Sequence, residues 1–192
     1  MTTRYGVLAA ATAMAMTICG CGRKGNDTLR DSRDARQGPY YDFNPADRDF
    51  VRTAAESNFA EMEACRLALS RANRPEMKAD AQHLLIDHRK IHADLTELAQ
   101  KKGVTLPTET DAEHKRILEK LADLNGAEFD RAFAAAMMSD YTQAVSLFEE
   151  HPKKGRDGDV RVFAERTVPT LRMHLKMVRD LTSKVAGPSS PN

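Results

Sequence analysis

Apolar side chains recur every three or four residues along four long stretches of the chain. This spacing places them on one face of an α-helix, so each stretch predicts a long helix with one buried stripe. The first predicted helix starts at Asn44 and Pro45, a capping residue followed by a proline suited to the first helical position, and runs to about Ala72. Its stripe consists of Val51, Ala54, Ala55, Asn58, Met62, Cys65, Leu69 and Ala72.

The second predicted helix begins at Pro75, runs to about Lys102 and stops at Gly103. Only a short link separates it from the first helix, so we expect the two helices to pack antiparallel. Its apolar stripe continues without a break through Met77, Ala81, Leu84, His88, Ile91, Leu95 and Leu98.

A loop with the sequence VTLPTETD follows the second helix. Thr110 and Glu113 have the spacing of a capping box, which predicts the start of a short helix. Gly126 closes this helix, whose apolar residues are Ile117, Leu118, Leu121 and Leu124.

Two further long helices are predicted after the short one. The first runs from about Ala127 to Glu150, where the sequence HPKKGRDG ends it, and the second from about Asp159 to Val185. Pro169 lies inside the last helix and predicts a kink in the preceding turn, because a proline there removes a hydrogen bond. The two stripes are Phe129, Phe133, Met137, Tyr141, Ala144, Val145 and Phe148, and Val160, Ala164, Thr167, Leu171, His174, Val178 and Leu181.

No stretch has the alternating pattern of a β-strand, so the sequence predicts an all-α fold. A long crossover between the second and third long helices is typical of a ferritin-like four-helix bundle and not of a simple up-and-down bundle. We expect this bundle, with the short extra helix in its crossover, to span residues 44–186. A polar tail over residues 187–192 is expected to be disordered.

Residues 1–20 have the pattern of a secretion signal. Arg4 precedes the apolar run VLAAATAMAMTI, which is shorter than the roughly 20 apolar residues that span a bilayer. The sequence Ile-Cys-Gly-Cys at the end of this run resembles the lipobox of bacterial lipoproteins, which implies cleavage before Cys21 and acylation of that cysteine. The alternative is an ordinary signal peptide with an incidental cysteine.

We therefore expect a lipid anchor on Cys21 to hold the mature chain in the cell envelope, facing the periplasm. Gly22 and not Asp follows this cysteine, which favours the outer membrane by the usual bacterial sorting rule. Residues 21–43 are polar and mixed in charge, and predict a flexible tether. Cys65 lies in an apolar stripe and is expected to be a buried, unreactive thiol.

The charge balance excludes several classes of partner. The chain has 29 Lys and Arg against 28 Asp and Glu, and it has no basic run, so neither nucleic acid nor a charged membrane surface is an expected partner. It also lacks a nucleophile elbow, a phosphate loop and a zinc-protease motif. The expected contact with the membrane is the lipid anchor alone.

Each predicted long helix carries one residue near its middle with ligand or hydrogen-bonding chemistry: Glu61, His88, Tyr141 and His174. Such positions can converge on one central point of a bundle, and Glu and His are ligands for iron, zinc, copper or manganese. Glu61, His88 and His174 are therefore candidate ligands of a transition metal.

Four further residues are candidates for supporting roles in such a site. His92 follows His88 by four residues and so shares its face of the helix. Asp87 and Asp140 are carboxylates that could orient a histidine, and Tyr141 lies on the seam beside them.

A buried polar network is the alternative interpretation of the same residues. A ferritin-like di-iron site needs Glu-x-x-His motifs on two helices, and this sequence contains none. In the alternative, Glu61 and Tyr141 hydrogen-bond the two histidines and fix the register of the helices. Neither interpretation requires His83, His114 or His151, which are expected on the surface.

Methionines beside the candidate residues are open to two interpretations as well. Met and His together suit copper(I), whereas Met at helical spacing also fills apolar cores. The methionines concerned are Met137, Met138, Met173 and Met177.

Several short stretches have the order and spacing found in one bacterial family. They are Asp49-Phe50, NFAEMEACRLAL around Glu61, Asp87-His88 in LLIDHRKIHADL, KKGVTLP, Phe129-Asp130 in GAEFDRAF, and Pro169 with His174 in VPTLRMHL. On these stretches the chain resembles the domain-of-unknown-function 4142 family, whose members are described as outer-membrane or ferritin-like proteins. The resemblance covers about residues 47–185 and implies a ferritin-like bundle in the cell envelope, with no established reaction.

The chain departs from this family at one position. The family pattern usually has Asp-His where this chain has Asp140-Tyr141. If the family's histidines bind something together, the resemblance implies that this chain has lost one ligand.

Two functional hypotheses follow. The first is a non-enzymatic envelope lipoprotein, a helical bundle that binds an envelope protein partner or supports the envelope. The second is a periplasmic metal-binding or redox protein that uses Glu61, His88 and His174 in the bundle core.

Overall fold

The computed structural model describes residues 43–186, and all their regular secondary structure is helical. The predicted all-α fold is therefore confirmed for this part of the chain. In chain order the helices are α1 (Pro45–Arg71), α2 (Pro75–Lys102), α3 (Ala112–Ala122), α4 (Gly126–Lys154) and α5 (Gly158–Val185).

The predictions for the signal segment (residues 1–20), for lipidation of Cys21, and for the tail (residues 187–192) lie outside the described residues. So does the predicted tether except for its last residue, Phe43, which is buried against the bundle. None of the described helices is long and apolar enough to cross a membrane.

Helix caps decide where most of these helices begin. The Asn44 side chain accepts hydrogen bonds from the backbone of Ala46 and Asp47, as expected for the start of α1. The predicted capping box at Thr110 is wrong, because the cap of α3 is Asp111, one residue later. A carboxylate is as good a cap as a hydroxyl, and Asp111 accepts from the backbone N–H groups of Glu113 and His114.

Helix α4 is longer than its sequence predicts. It passes through Pro152 and ends at Gly155, whose N–H donates to the carbonyl of His151. A proline so close to the end of a helix breaks few hydrogen bonds, and the burial of His151 holds the last turn in place. The segment HPKKGRDG is therefore mostly helical, and only residues 155–157 link α4 to α5. Helix α5 contains Pro169 and is helical over its whole length.

Contacts at the two ends of the bundle fix the direction of each long helix. Asp47 at the start of α1 lies beside the end of α4 and the start of α5, through His151 and Asp157. At the other end, Arg74 before α2 donates to the carbonyl of Lys184 at the end of α5. Helices α1 and α5 therefore run one way, and α2 and α4 run the other. The chain between α2 and α4 must recross the bundle, and α3 lies on this crossover against α1 and α4.

The core lies where the apolar stripes of α1, α2, α4 and α5 meet. Most of the predicted stripe residues are buried, with Leu69, Ile91 and Val145 only partly so. Cys65 is fully buried, and burial raises the pKa of its thiol far above the ordinary range, which agrees with the prediction of an unreactive cysteine. The largest side chains that are fully buried include Tyr141, Phe129, Phe133, Met77, Leu84, Leu95 and Leu181.

Asp130 in α4 caps a helix other than its own. The residue before α2 is Arg74, whose side chain makes no capping hydrogen bond. Instead, the buried Asp130 carboxylate accepts from the backbone N–H groups of Asn73, at 2.9 Å, and Arg74, at 3.2 Å. A carboxylate near the start of a helix also interacts favourably with the helix dipole. Asp130 thus joins α4 to the link between α1 and α2.

We expect Asp130→Ala to lower the free energy of unfolding by about 2 kcal/mol, because it leaves two backbone donors without their acceptor. Urea unfolding of the purified protein measures this. Glu128→Ala, an exposed carboxylate in the same turn of α4, is the matched control and should change stability by less than about 0.5 kcal/mol. Equal effects of the two substitutions would contradict the capping role.

Candidate functional site: a buried polar cluster

Four polar side chains meet inside the bundle, one from each long helix. Glu61 of α1 is 2% exposed, and His88 of α2, Tyr141 of α4 and His174 of α5 are fully buried. The ring centroids of His88 and His174 are 5.0 Å apart, and that of Tyr141 is 5.4 Å from His174 and 5.8 Å from His88. The structure thus brings together the four residues that the sequence singled out.

His88 lies at the centre of this cluster, and both of its ring nitrogens have protein partners. Its Nδ1 is 3.0 Å from Asn58 Oδ1 and 3.2 Å from Glu61 Oε2, and its Nε2 is 2.8 Å from the Tyr141 hydroxyl. The amide oxygen of Asn58 can only accept, which places the ring proton on Nδ1. The Tyr141 hydroxyl then donates to Nε2.

Burial drives these groups toward their neutral forms. It raises the pKa of Glu61 well above the ordinary carboxyl value, and the negative charge of Asp140 raises it further. Burial also lowers the pKa of His88 well below its ordinary value, with His174 adding to the effect, and it raises the pKa of Tyr141. We therefore interpret the contact between Glu61 and His88 as one between neutral groups and not as an ion pair.

His174 has a separate partner, Asp87. Its Nε2 donates to Asp87 Oδ2 at 2.9 Å, while its Nδ1 is buried and has no hydrogen-bond partner in the described structure. Burial lowers the pKa of His174, and Asp87 opposes this shift. Asp87 therefore orients a histidine, the role for which the sequence made it a candidate.

Asp140 contacts a different histidine from those in the core. Its Oδ1 is 3.3 Å from His114 Nε2 on α3 and also accepts from Ser57. The predicted surface position of His114 is wrong, because its ring is half-buried between Asp140 and Asp111. The crossover lays α3 against α4, and the stripe pattern could not predict that contact.

The Asp140 and Asp111 carboxylates raise the pKa of His114 to about 9, with the hydrogen bond to Asp140 as the largest cause. A raised pKa in the folded state means that the protonated ring stabilises the fold. This stabilisation is complete below pH 6.5 and is lost as the pH rises through 9. We expect the free energy of unfolding to fall by roughly 1 kcal/mol over this window, a figure reduced for solvent screening. In His114→Gln the decrease should be absent, and an unchanged pH profile in that variant would contradict the assignment.

His92 and His151 also lie apart from the cluster. His92 packs against Phe59, with ring centroids 4.8 Å apart, and lines a separate cavity. The predicted surface position of His151 is wrong, because the ring is 6% exposed and stacks on Phe50 at 4.0 Å. His151 follows Phe148 by three residues and so continues the apolar stripe, a signal hidden by the proline after it.

The cluster has almost no free volume. The cavity beside Glu61 and His88 measures about 10 Å³, which holds at most about one water molecule. A substrate or cofactor therefore has no space beside these side chains. Within residues 43–186, no group of three or more His, Cys, Asp or Glu side chains is arranged to hold a metal ion as it stands.

The sequence matches one family model, the domain of unknown function DUF4142, over residues 33–181. The chain belongs to the DUF4142 family. No curated protein matches this DUF4142 chain significantly.

Three solved structures have a fold similar to that of this chain. A DUF305 fragment from Deinococcus radiodurans is 16% identical, with a TM-score of 0.65 over 73% of this chain and 97% of that one. A DUF305 protein from Streptomyces coelicolor is 12% identical, with a TM-score of 0.64 over 77% and 96%. The protein CopM in its Cu(II)-bound form is 17% identical, with a TM-score of 0.60 over 72% and 96%. At these identities the similarity establishes the fold alone.

In this DUF4142 chain, the stretches that carried the family resemblance contribute to both ends and the middle of the bundle. Glu61, His88 and His174 belong to the buried cluster, Asp87 accepts a hydrogen bond from His174, and Asp130 caps α2. Tyr141, the position at which the resemblance implied a lost ligand, donates its hydroxyl to the lone pair of His88 Nε2. The assignment of Glu61, His88 and His174 as metal ligands stays a prediction.

Proposed function

We propose that this DUF4142 chain is a non-enzymatic lipoprotein of the bacterial cell envelope, a ferritin-like four-helix bundle with a binding or structural role. The observation that carries the proposal is the hydrogen bonding of His88, because both of its ring nitrogens have protein partners, Asn58 and Tyr141. A residue so enclosed, beside a cavity of about 10 Å³, has neither a free lone pair nor space for a substrate.

The buried cluster then serves to fix the register of the helices. His88 of α2 can bind Asn58 of α1 and Tyr141 of α4 at the same time only in one relative position of the three helices. A shift by one helical turn would leave several buried polar groups without partners, at about 1–3 kcal/mol each. Such specificity is a known use of buried polar residues in helical bundles.

A ferritin-like topology is consistent with the helix directions, since α2 and α4 run the same way and are joined by a crossover. The absence of Glu-x-x-His from the sequence separates the proposal from the di-iron proteins with this topology. The bundle would be held in the envelope by acylated Cys21, facing the periplasm and in the outer membrane, where it would meet an envelope protein partner. Incorporation of radiolabelled palmitate that is lost in Cys21→Ala would support the anchor.

The test of the structural role is the Tyr141→Phe substitution. It removes the donor to His88 Nε2 and nothing else, and we expect it to lower the free energy of unfolding by about 1–2 kcal/mol. The full-length protein, purified without chelator and loaded with copper, iron, zinc and manganese, should hold no metal that depends on Glu61. A stoichiometric metal that is lost in Glu61→Gln would overturn the proposal, because that variant keeps the size of the side chain.

A transition-metal site in the core is the second candidate function. It is favoured by the similarity of the fold to CopM, which was solved in a Cu(II)-bound form. Glu61, His88 and His174 would be the ligands, and the Tyr141 hydroxyl would have to leave His88 Nε2. Tyr141→His would supply the histidine of the family pattern, so a gain of bound copper in that variant, lost again with Glu61→Gln, would support this candidate.

A further inference from the structure

A cavity of about 120 Å³ lies under the crossover helix α3, where this helix packs against α1 and α4. Its inner wall is apolar and buried, with Ala60 and Ala64 on α1, Leu121 on α3 and Met137 on α4. The two alanines leave space that longer side chains would fill, and close-packed proteins contain few voids of this size. The four residues of the buried polar cluster do not line the cavity, so it is a separate site.

Most of the lining residues that reach solvent are polar. The exposed ones are Glu113 on α3 and Ser139 and Gln143 on α4. Asp140 and His114 also line the cavity and are partly buried. The ring of His114 is protonated at neutral pH, because its pKa is raised to about 9, and it is already paired with two carboxylates. Within residues 43–186, no lysine or arginine lines the cavity, so its polar side is net negative.

We propose that this cavity binds a small organic cation, a primary amine whose apolar part is no larger than one six-membered ring. An engineered protein cavity of about 150 Å³ binds one benzene molecule, so the volume here suits an apolar group of this size. Small-molecule sites commonly combine an apolar wall with a few polar groups that orient the ligand. The proposal goes beyond the function proposed above, because it concerns a site that the buried polar cluster does not share.

The carboxylates of Glu113 and Asp140 are the groups that would hold the ammonium end of the ligand. Both hydrogen bonds that Asp140 accepts in the described residues, from Ser57 and from His114, use its Oδ1. Its Oδ2 can therefore accept from an ammonium group, which has three N–H donors. Hydrogen bonds between charged groups are about twice as strong as those between neutral groups.

The same charges disfavour an anion in this cavity. The only cationic side chain that lines it within residues 43–186 is His114, whose charge Asp140 and Asp111 already balance. An anionic ligand would also be repelled by Glu113. A neutral ligand would bury the same apolar surface but would gain no charged partner, so the cavity should prefer the cation.

Titration of the full-length protein with benzylamine, benzyl alcohol and benzoate, followed by NMR of ¹³C-labelled methionine methyl groups, tests this preference. The three probes share one ring and differ in charge. We expect benzylamine to bind about tenfold more tightly than benzyl alcohol, and benzoate not to bind. The Met137 methyl lines the cavity and should shift as the ring enters, whereas the methyl of Met173, exposed on α5, should not.

Two substitutions separate the contributions of charge and space. Glu113→Gln removes an exposed carboxylate and should weaken benzylamine binding about threefold, with benzyl alcohol unaffected. Glu119→Gln, an exposed position on the same helix that does not line the cavity, is the matched control and should bind benzylamine as the unsubstituted protein does. Ala64→Leu should fill the cavity and abolish both the binding and the shift of the Met137 methyl.

Equal affinities for benzylamine and benzyl alcohol would overturn the proposal, because charge would then play no part in binding. So would the absence of any Met137 shift at millimolar benzylamine, or equal effects of Glu113→Gln and Glu119→Gln. None of these outcomes would affect the structural role proposed for the buried polar cluster, since the stability of Tyr141→Phe tests that role independently.

Discussion

Asp47→Ala should lower the free energy of unfolding by about 3–5 kcal/mol, the largest effect we expect from a single polar substitution in this chain. Asp47 is fully buried in the first turn of α1. Its Oδ2 accepts from the backbone N–H groups of Arg156, at 3.1 Å, and Asp157, at 3.0 Å, and also from the side chain of Asn44. Its Oδ1 lies 2.8 Å from His151 Nε2. One carboxylate thus joins α1, the end of α4 and the start of α5.

The substitution leaves several buried donors without an acceptor, and each costs roughly 1–3 kcal/mol. Chemical denaturation followed by circular dichroism measures the loss. Asp49→Ala removes the same charge from the same helical turn, but Asp49 is exposed, so it should change stability by less than about 0.5 kcal/mol. Asp47→Asn keeps one acceptor oxygen and should fall between the two. If Asp47→Ala were no worse than Asp49→Ala, the carboxylate would not be holding these helices together.

Asp47 also illustrates what the sequence could and could not predict. The capping signal of Asn44 and Pro45 placed Asp47 correctly in the first turn of a helix, where a negative charge is favourable. Its contacts with residues 151–157 join positions about a hundred residues apart, and no periodicity encodes them. The same holds for Asp130, whose backbone partners lie at the start of another helix.

The helices themselves were predictable because each carries a long stripe at regular spacing. The boundaries failed where local signals conflicted with packing. Pro152 predicted the end of α4, but burial of the preceding His151 extends the helix by one turn. Thr110 and Asp111 are both capping residues, and the pattern alone could not choose between them.

The residues of the candidate site were predictable from the sequence, but the contacts between them were not. Glu61, His88, Tyr141 and His174 converge because each lies near the middle of a helix on or beside its inward face. Their pairing was not predictable, since a side chain on a seam can point to either neighbouring helix. The sequence therefore predicted the members of the cluster. Only the structure shows that both ring nitrogens of His88 have hydrogen-bond partners and that Asp140 contacts His114.

These pairings describe a cluster built around one residue. Burial drives the interior groups toward their neutral forms, and His88 is bound on both ring nitrogens, which suits a structural role. Asn58 Nδ2, Glu61 Oε1 and His174 Nδ1 are buried without a hydrogen-bond partner in the described residues.

Gly155→Ala should destabilise the protein by about 2–3 kcal/mol, whereas Gly158→Ala, three residues later, should be neutral or slightly stabilising. A Cβ on Gly155 would lie 2.4 Å from His151 Nε2 and 2.5 Å from Asp47 Oδ1. Neither neighbour can move away cheaply, because the His151 ring stacks on Phe50 and the Asp47 carboxylate is held by backbone donors.

A Cβ on Gly158 meets nothing within 4 Å, so this glycine, the first residue of α5, provides a matched control three residues away. Alanine is also the better helix former at the start of α5. In thermal unfolding, Gly155→Ala should therefore lower the melting temperature, whereas Gly158→Ala should leave it unchanged or raise it slightly. A similar decrease in both would mean that the link needs glycine for its flexibility. A decrease in Gly155→Ala alone would mean that the close packing of Asp47, His151 and the backbone at residue 155 sets the stability of this end of the bundle.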